Sequence, residues 1–569
     1  MPPTPSRLLA LPFLALLSCA PRASPRPAAS PQEDGALVLR GAAIHTLDPA
    51  RPLAQMAVAA GGRWICVGDE ARCASRVPAS ARAEDLHGMT VLPGFADAHG
   101  HVAELGLVLQ AVDLRGASDE RECVARVAAR AQGTPPGTWI FARGWDQTRW
   151  PGHRFPALDE LSRAVPAHPV IAQRVDGHAV WVNARALEAA GITRETPDPA
   201  GGRIVHDGEG APTGVLVDNA TDLVRRKLPP PSAAAIERAL LDALDLLVQR
   251  GITSVHDAGV DTATLAVYRR LADSGRLPIH VYAMLDGQQP LPELRAQMDA
   301  WRATPTVGRL TVRAVKMYAD GALGSRGALL TDPYSDDDST RGLAVTPAAE
   351  LRARILEVAR AGFQPAVHAI GDRAVHEVLD DFLAASRETP GLRPRVEHLQ
   401  ILDASDVATL VASHAIASMQ PTHATSDGPW AEERLGHGTD RQRGAYAWRT
   451  VIDAGAPIAC GSDFPVEEPD PLAGIRSAVL RTWPGGPAGG WMPEQRMTAD
   501  EAVRCFTTGA AYAEGAEDRR GRIAEGFAAD AVVLRTDPFA GPITDLDRRA
   551  LVQTFVEGRA TAAAGAASP

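Results

Sequence analysis

The stretch VLPGFADAHGH (91–101) ends in two histidines, His99 and His101, that follow an apolar run with strand character. Alternate residues of a strand point to the same side, so both imidazoles can reach one metal ion. A single HxH pair is weak evidence for a site. Its significance therefore depends on the residues that other parts of the chain bring to it.

Seven further strand-like runs follow, and helical stretches separate them. They cover residues 251–257, 278–284, 310–318, 364–370, 393–399, 416–421 and 457–463. Strands that alternate with helices indicate a parallel sheet, and eight such units close into a (β/α)₈ barrel. The predicted fold class is therefore α/β, with a TIM barrel over residues 91–520.

Two other regions carry additional strand patterns. Short alternating strands occur in residues 36–90 and 521–562, which predicts a small composite β-sandwich domain made from both termini. Strand-like runs at 138–144 and 169–175 lie between the first and second barrel strands, where one helix would need only about 15 residues. We interpret about 105–245 as an inserted subdomain that forms a lid over the barrel mouth.

Four more residues with ligand chemistry lie late in the predicted barrel strands: Lys316 in the fourth, His368 in the fifth, His398 in the sixth and Asp463 in the eighth. The C-terminal ends of barrel strands face one another across the mouth, where catalytic groups collect. Each residue also has an ordinary explanation, such as a turn capped by Asp463 or a Lys316 side chain extended to solvent. Together with the HxH pair, they predict one site.

Several motifs carry a family resemblance. They are PGFADAHGH (93–101), KMYADGALGSRGA (316–328), HAIGDRA (368–374), EHLQ (397–400), GSDFPV (461–466) and, in the insertion, ARGWDQTRW (142–150) and RVDGHAVWVNARAL (174–187). They resemble the amidohydrolase superfamily, in particular amidohydrolase family 3, which includes the N-substituted formamide deformylases. The resemblance extends over about residues 35–558.

The resemblance implies metal-dependent hydrolysis of a non-peptide carbon–nitrogen bond, of amide or formamide type, in a small-molecule substrate. The implied ligands are His99, His101 and Asp463 for the more buried of two divalent ions, and His368 and His398 for the second. Lys316, carboxylated by carbon dioxide, would bridge both ions, with zinc as the default metal. A metal-activated hydroxide would attack the carbonyl, and Asp463 would transfer its proton to the departing nitrogen.

Substrate contacts are expected from five polar residues: Arg174, Asp176 and His178 on the lid, Asp320 after the fourth strand and His423 after the seventh. Ordinary hydrogen bonding within loops explains these residues equally well.

Two other functions remain open at this stage. The same barrel with one metal ion could act as a deaminase or on another bond, and counting the bound ions distinguishes that case. A non-catalytic, ligand-binding envelope lipoprotein is the third class. The complete set of ligand residues argues against it.

Composition and the N-terminal residues limit partners and location. The chain has 569 residues, of which 45% are hydrophobic, and this fraction excludes wholesale disorder. Its net charge of −11 makes nucleic acid an unfavourable partner. Residues 1–18 resemble a bacterial lipoprotein signal peptide, with Cys19 as the lipidated residue and 19–35 as a linker. A plain secretory signal or a buried helix is the alternative. We expect the protein to be exported, either to the cell envelope or as a secreted protein. Any contact with a membrane would be made through the lipid. A homodimer is possible.

Cysteine usage predicts little chemistry. Cys66 and Cys73 are close enough in sequence to pair, whereas Cys123, Cys460 and Cys505 are expected to be isolated core residues.

Overall fold

The computed structural model describes residues 36–175, 177–199 and 202–561. The predicted signal peptide, Cys19, the linker and Asp176 lie outside the described residues. Within the described ranges, no helix combines the length and the apolar character needed to cross a bilayer.

All eight predicted barrel strands are present. They are β1 (Phe95–Gly100), β2 (Ile252–Val260), β3 (His280–Asp286), β4 (Leu310–Tyr318), β5 (Gln364–Ala369), β6 (Arg395–His398), β7 (Ile416–Met419) and β8 (Ile458–Cys460). These strands pair in parallel in chain order. A parallel bridge between Gly100 and Phe464, just after β8, brings the last strand back to the first. The barrel prediction is confirmed.

Helices surround this sheet. They are α1 (Val102–Gln110), α2 (Ala233–Gln249), α3 (Thr262–Asp273), α4 (Leu291–Arg302), α5 (Ala348–Arg360), α6 (Asp372–Glu388), α7 (Val407–Ala412), α8 (Pro421–Leu435) and α9 (Pro471–Leu480). Their buried apolar faces form one large core with the outer side of the barrel. This packing holds the barrel strands in place, so that their C-terminal ends form the mouth of the barrel.

The first predicted strand differs from the prediction because the chain changes sheets at Gly94. Residues Thr90–Pro93 pair with Ala531–Leu534 in another sheet, and only Phe95–Gly100 joins the barrel. A Cβ atom on Gly94 would lie 2.3 Å from Thr253 Oγ1, so only glycine permits this close crossing.

Strands from both ends of the chain form a single eight-stranded sheet. Its members are Leu37–His45, Leu53–Ala60, Arg63–Gly68, Arg82–Asp85, Thr90–Pro93, Ala531–Leu534, Leu551–Val556 and Arg559–Ala560. Trp64 lies fully buried in a core that belongs to this sheet. The two ends therefore build one unit, while its β-sandwich form stays a prediction.

The insertion contains a third sheet, which has six strands. Its strands are Val112–Asp113, Ile140–Trp145, Val170–Arg174, Ala179–Val182, Gly202–His206 and Pro212–Asp218, and its helices are Glu120–Ala131, Leu158–Ala164, Ala184–Ala190 and Asp222–Arg225. Trp145, Trp150 and Trp181 are buried in its core. The insertion thus has a hydrophobic core of its own, and its action as a lid stays a prediction.

Two disulfides are formed. Cys66 pairs with Cys73, as their spacing allows. Cys460 pairs with Cys505, so the expectation that these two are isolated core residues is wrong. The end of β8 packs against the helical turn at Cys505–Gly509, a contact that their 45-residue separation conceals. Cys123 is a free, buried thiol.

The crossing of α1 and α2 provides a test of this packing. A Cβ on Gly106 of α1 would lie 2.0 Å from the backbone oxygen of Ala239 in α2. We expect Gly106→Ala to lower the free energy of unfolding by about 1–3 kcal/mol, because the helices must move apart. Urea unfolding measures this, with Gly133→Ala as the control because a Cβ there meets no atom within 4 Å. Equal stability of the two variants would contradict the packing.

Candidate metal centre

His99, His101 and Asp463 meet where the barrel closes. His101 Nε2 lies 3.2 Å from Asp463 Oδ1, and His99 Nε2 lies 3.6 Å from the same oxygen. The ligand atoms of these three residues all lie within 4.8 Å of one another. They form a compact group that can hold one divalent ion.

The second ring nitrogen of each of three histidines is held by a specific acceptor. The bonds run from His99 Nδ1 to Glu397 Oε2 (2.5 Å), from His101 Nδ1 to the Ala258 carbonyl (3.0 Å) and from His398 Nδ1 to Gln420 Oε1 (2.8 Å). These bonds place the proton on Nδ1 and leave Nε2 as the free electron-pair donor. This is how metal-binding histidines are oriented in proteins.

Three buried ligand atoms at the mouth have no hydrogen-bond partner among the described residues. They are Asp463 Oδ1, His368 Nε2 and His423 Nε2. An unsatisfied buried polar group costs roughly 1–3 kcal/mol, and a bound cation removes that cost. Imidazole and carboxylate donors suit Zn²⁺, and also Mn²⁺, Fe²⁺ or Ni²⁺. The residues present therefore fit a metal centre.

Lys316 lies in β4 directly against this group. Its Nζ is 3.2 Å from His99 Nε2 and 5.0 Å from the centre of the Tyr318 ring. Burial lowers the pKa of Lys316 to about 8. The neutral amine, which is the form that reacts with carbon dioxide, is thus more available near neutral pH than in an ordinary lysine.

Burial and nearby charges keep the other groups in their metal-binding forms. Burial, reinforced by Lys316, lowers the pKa of His99 to about 4 and that of His368 to about 3, so both imidazoles are neutral. Burial opposes ionisation of Asp463, but the neighbouring His101, His99 and His398 hold its pKa well below the usual value. Burial lowers the pKa of His101, but its contact with Asp463 outweighs burial and raises that pKa. The centre therefore combines neutral His99 and His368 with an ionised Asp463.

Asp320 is placed to organise loops. It is buried, and its carboxylate accepts hydrogen bonds from the backbone N–H groups of Leu329, Ile370 and Gly371 at 2.8, 3.0 and 2.8 Å. Its Oδ1 also lies 3.6 Å from His368 Nε2. The residue fixes the loops that follow β4 and β5, and a direct contact with substrate stays a prediction.

The predicted contact residues of the insertion have partners within the insertion. Arg174 Nε donates to Gln147 Oε1 at 2.8 Å, and the exposed His178 pairs with Asp218 at 3.0 Å. Asp176 lies outside the described residues. The role of these residues toward a substrate stays a prediction. His423, in contrast, lies at the metal centre itself.

A buried ion pair behind His99 was missed from the sequence. Arg395 is fully buried, and its guanidinium donates to Glu397 Oε1 (2.7 Å), Glu397 Oε2 (3.1 Å), His256 Nδ1 (2.8 Å), the Ala98 carbonyl (2.6 Å) and Ser418 Oγ (2.9 Å). Glu397 thus links Arg395 to His99. The sequence RVEH (395–398) could have indicated this pair, because Arg395 and Glu397 alternate in a strand and therefore point to the same side.

A parallel eight-stranded barrel with a histidine and carboxylate cluster at the C-terminal strand ends is typical of metal-dependent hydrolases of the amidohydrolase class. Residues 82–562 match the model of the amidohydrolase family, Amidohydro_3. The chain belongs to the amidohydrolase family, so the resemblance seen in its motifs is confirmed.

Three similar proteins illustrate this relationship. YtcJ of Bacillus subtilis (strain 168) is 34% identical over 486 residues, which cover 83% of this chain and 89% of YtcJ. The N-substituted formamide deformylase of Arthrobacter pascens is 27% identical, covering 92% of this chain and 97% of its own length. The crystal structure of an uncharacterized metal-dependent hydrolase from Pyrococcus horikoshii OT3 has a TM-score of 0.76 and 28% identity, covering 90% of this chain and 99% of that chain.

The Glu397 link predicts a measurable effect on metal binding. We expect Glu397→Gln to weaken binding of one ion by about 10–100-fold, because His99 loses the acceptor that orients it. Metal titration followed by elemental analysis measures this. Glu388→Gln is the control, since Glu388 pairs with Arg360 on an exposed surface. A folded Glu397→Gln protein with unchanged metal affinity would refute the orienting role.

Proposed function

We propose that this protein hydrolyses an amide or formamide-type carbon–nitrogen bond, other than a peptide bond, at a centre of two divalent ions. The observation that carries the proposal is a set of buried ligand atoms on His368, His423 and Asp463 that have no hydrogen-bond partner in the described part of the chain. They lie beside histidines whose Nε2 atoms are already oriented. The choice of bond is supported by the similarity to a protein named N-substituted formamide deformylase.

The proposed ligands divide between the two ions, with zinc as the default metal. His99, His101 and Asp463 would hold the first ion and His368 and His398 the second, and Lys316, once carboxylated, would supply anionic oxygens to both. Divalent ions bound here would lower the pKa of a water molecule and polarise the substrate carbonyl.

The protein's own residues supply the proton transfer. Asp463 is ionised and lies at the mouth, so its carboxylate can accept a proton from the attacking water and transfer it to the departing nitrogen. Arg174, Asp176 and His178 of the insertion are proposed to orient the substrate.

We also propose that the protein is exported, with Cys19 as a lipid attachment site. The disulfides Cys66–Cys73 and Cys460–Cys505 support this location, because such bonds persist mainly in oxidising compartments.

Metal removal tests the proposed activity. We expect chelator-treated protein to lose hydrolysis of N-substituted formamides and to regain it with two equivalents of zinc per chain, because the ions activate the water. Elemental analysis alongside a rate assay measures both. Full activity at one ion per chain with an unmodified Lys316 would favour the mononuclear alternative. Activity that survives complete metal removal would refute the proposal.

The proton-transfer role of Asp463 has its own test. We expect Asp463→Asn to reduce kcat by at least about 100-fold, because an amide cannot accept the proton. Rates are compared at matched metal content, with Asp440→Asn as the control because Asp440 is an exposed residue of the helix Asp440–Arg443. Near-normal turnover of Asp463→Asn would rule out this assignment.

A further inference from the structure

His423 is a buried imidazole beside the metal centre, yet the family resemblance includes it among neither set of ligands. It lies in the first turn of α8, which begins at Pro421 immediately after β7. Side chains of a helix lean toward its N-terminus, and here that end faces the barrel mouth. The imidazole is therefore directed toward the strand ends rather than toward solvent.

The surroundings of His423 match those of a metal ligand. Its Nε2 has no hydrogen-bond partner among the described residues and lies 3.9 Å from Asp463 Oδ2. Its ring is nearly parallel to that of His398, at 12°, with the centroids 6.2 Å apart. The ligand atoms of His398, His423 and Asp463 lie within 4.8 Å of one another. Neighbouring ligands of tetrahedral zinc are about 3.4 Å apart, so a small inward movement suffices.

The two oxygens of Asp463 face different partners. Oδ1 lies next to His99 and His101, at 3.6 and 3.2 Å, whereas Oδ2 lies on the side of His423. Asp463 can therefore bind the first ion through Oδ1, while Oδ2 stays free to accept a proton. The geometry thus places Asp463 between two groups of imidazoles.

We infer that His423 is a ligand of the second ion, together with His398. This inference rests on the proposed two-ion function and extends its ligand set. His368 remains able to complete the second site, since its ring lies 4.5 Å from that of His398. Its nearest carboxylate is Asp320, whose oxygens already accept three backbone hydrogen bonds, so His368 has no comparable contact with Asp463.

Metal binding by His423→Ala tests the inference. Zinc stoichiometry is measured against graded concentrations of a competing chelator, and the visible absorption of the cobalt-substituted protein reports the ligands directly. We expect the variant to retain the first ion, to bind the second at least about tenfold more weakly and to show an altered cobalt spectrum. Removing a ligand should reduce metal affinity at least as much as removing the hydrogen-bond partner of a ligand.

Two further variants sharpen the test. His423→Gln keeps most of the side-chain volume and should show the same loss, which separates ligation from packing. His437→Ala is the control, because His437 is exposed after α8 and pairs with Glu432. Two ions bound with wild-type affinity and an unchanged cobalt spectrum in His423→Ala would overturn the inference. Wild-type protein that binds only one ion would overturn the two-ion function itself.

Discussion

The hydrogen-bonded chain Arg395–Glu397–His99 is the interaction on which the metal centre depends. Burying a charge is costly unless every polar group finds a partner, and the loss of one member of a buried ion pair leaves an uncompensated charge. Here Glu397 accepts hydrogen bonds from both neighbours, and Arg395 binds three further acceptors. TIM-barrel interiors are usually filled by branched apolar side chains. This polar interior instead fixes the His99 ring through Glu397.

The backbone contacts that close the barrel also bring the ligand residues of the metal centre together. Asp463 N donates to the His99 carbonyl at 2.7 Å, and His101 N donates to the Phe464 carbonyl at 2.8 Å, so the chain after β8 is tied to the end of β1. Asp463 and His398 adopt positive φ values of 58° and 74°, a backbone region that costs energy for residues other than glycine. The surrounding hydrogen bonds maintain this conformation. The same strained positions direct the two side chains into the mouth.

The barrel was predictable because its signals are local. Each strand has its own apolar run and each ligand candidate lies near a strand end, so the sequence placed His99, His101, Lys316, His368, His398 and Asp463 on one rim. The features that sequence reasoning missed depend on distant contacts. The disulfide Cys460–Cys505 and the change of sheet at Gly94 each require the packed neighbour to be known. The Arg395–Glu397 pair was visible in its strand, but only the fold shows that it supports His99.

The division of the molecule into separate cores has a consequence for specificity. The insertion buries Trp145 and Trp181 in its own core, and Arg174 is held there by Gln147. The ligands, in contrast, are held by barrel strands and by Glu397 and Gln420, which are also barrel residues or their direct neighbours. Substitutions on the surface of the insertion can therefore be accommodated without disturbing the groups that are placed to bind metal.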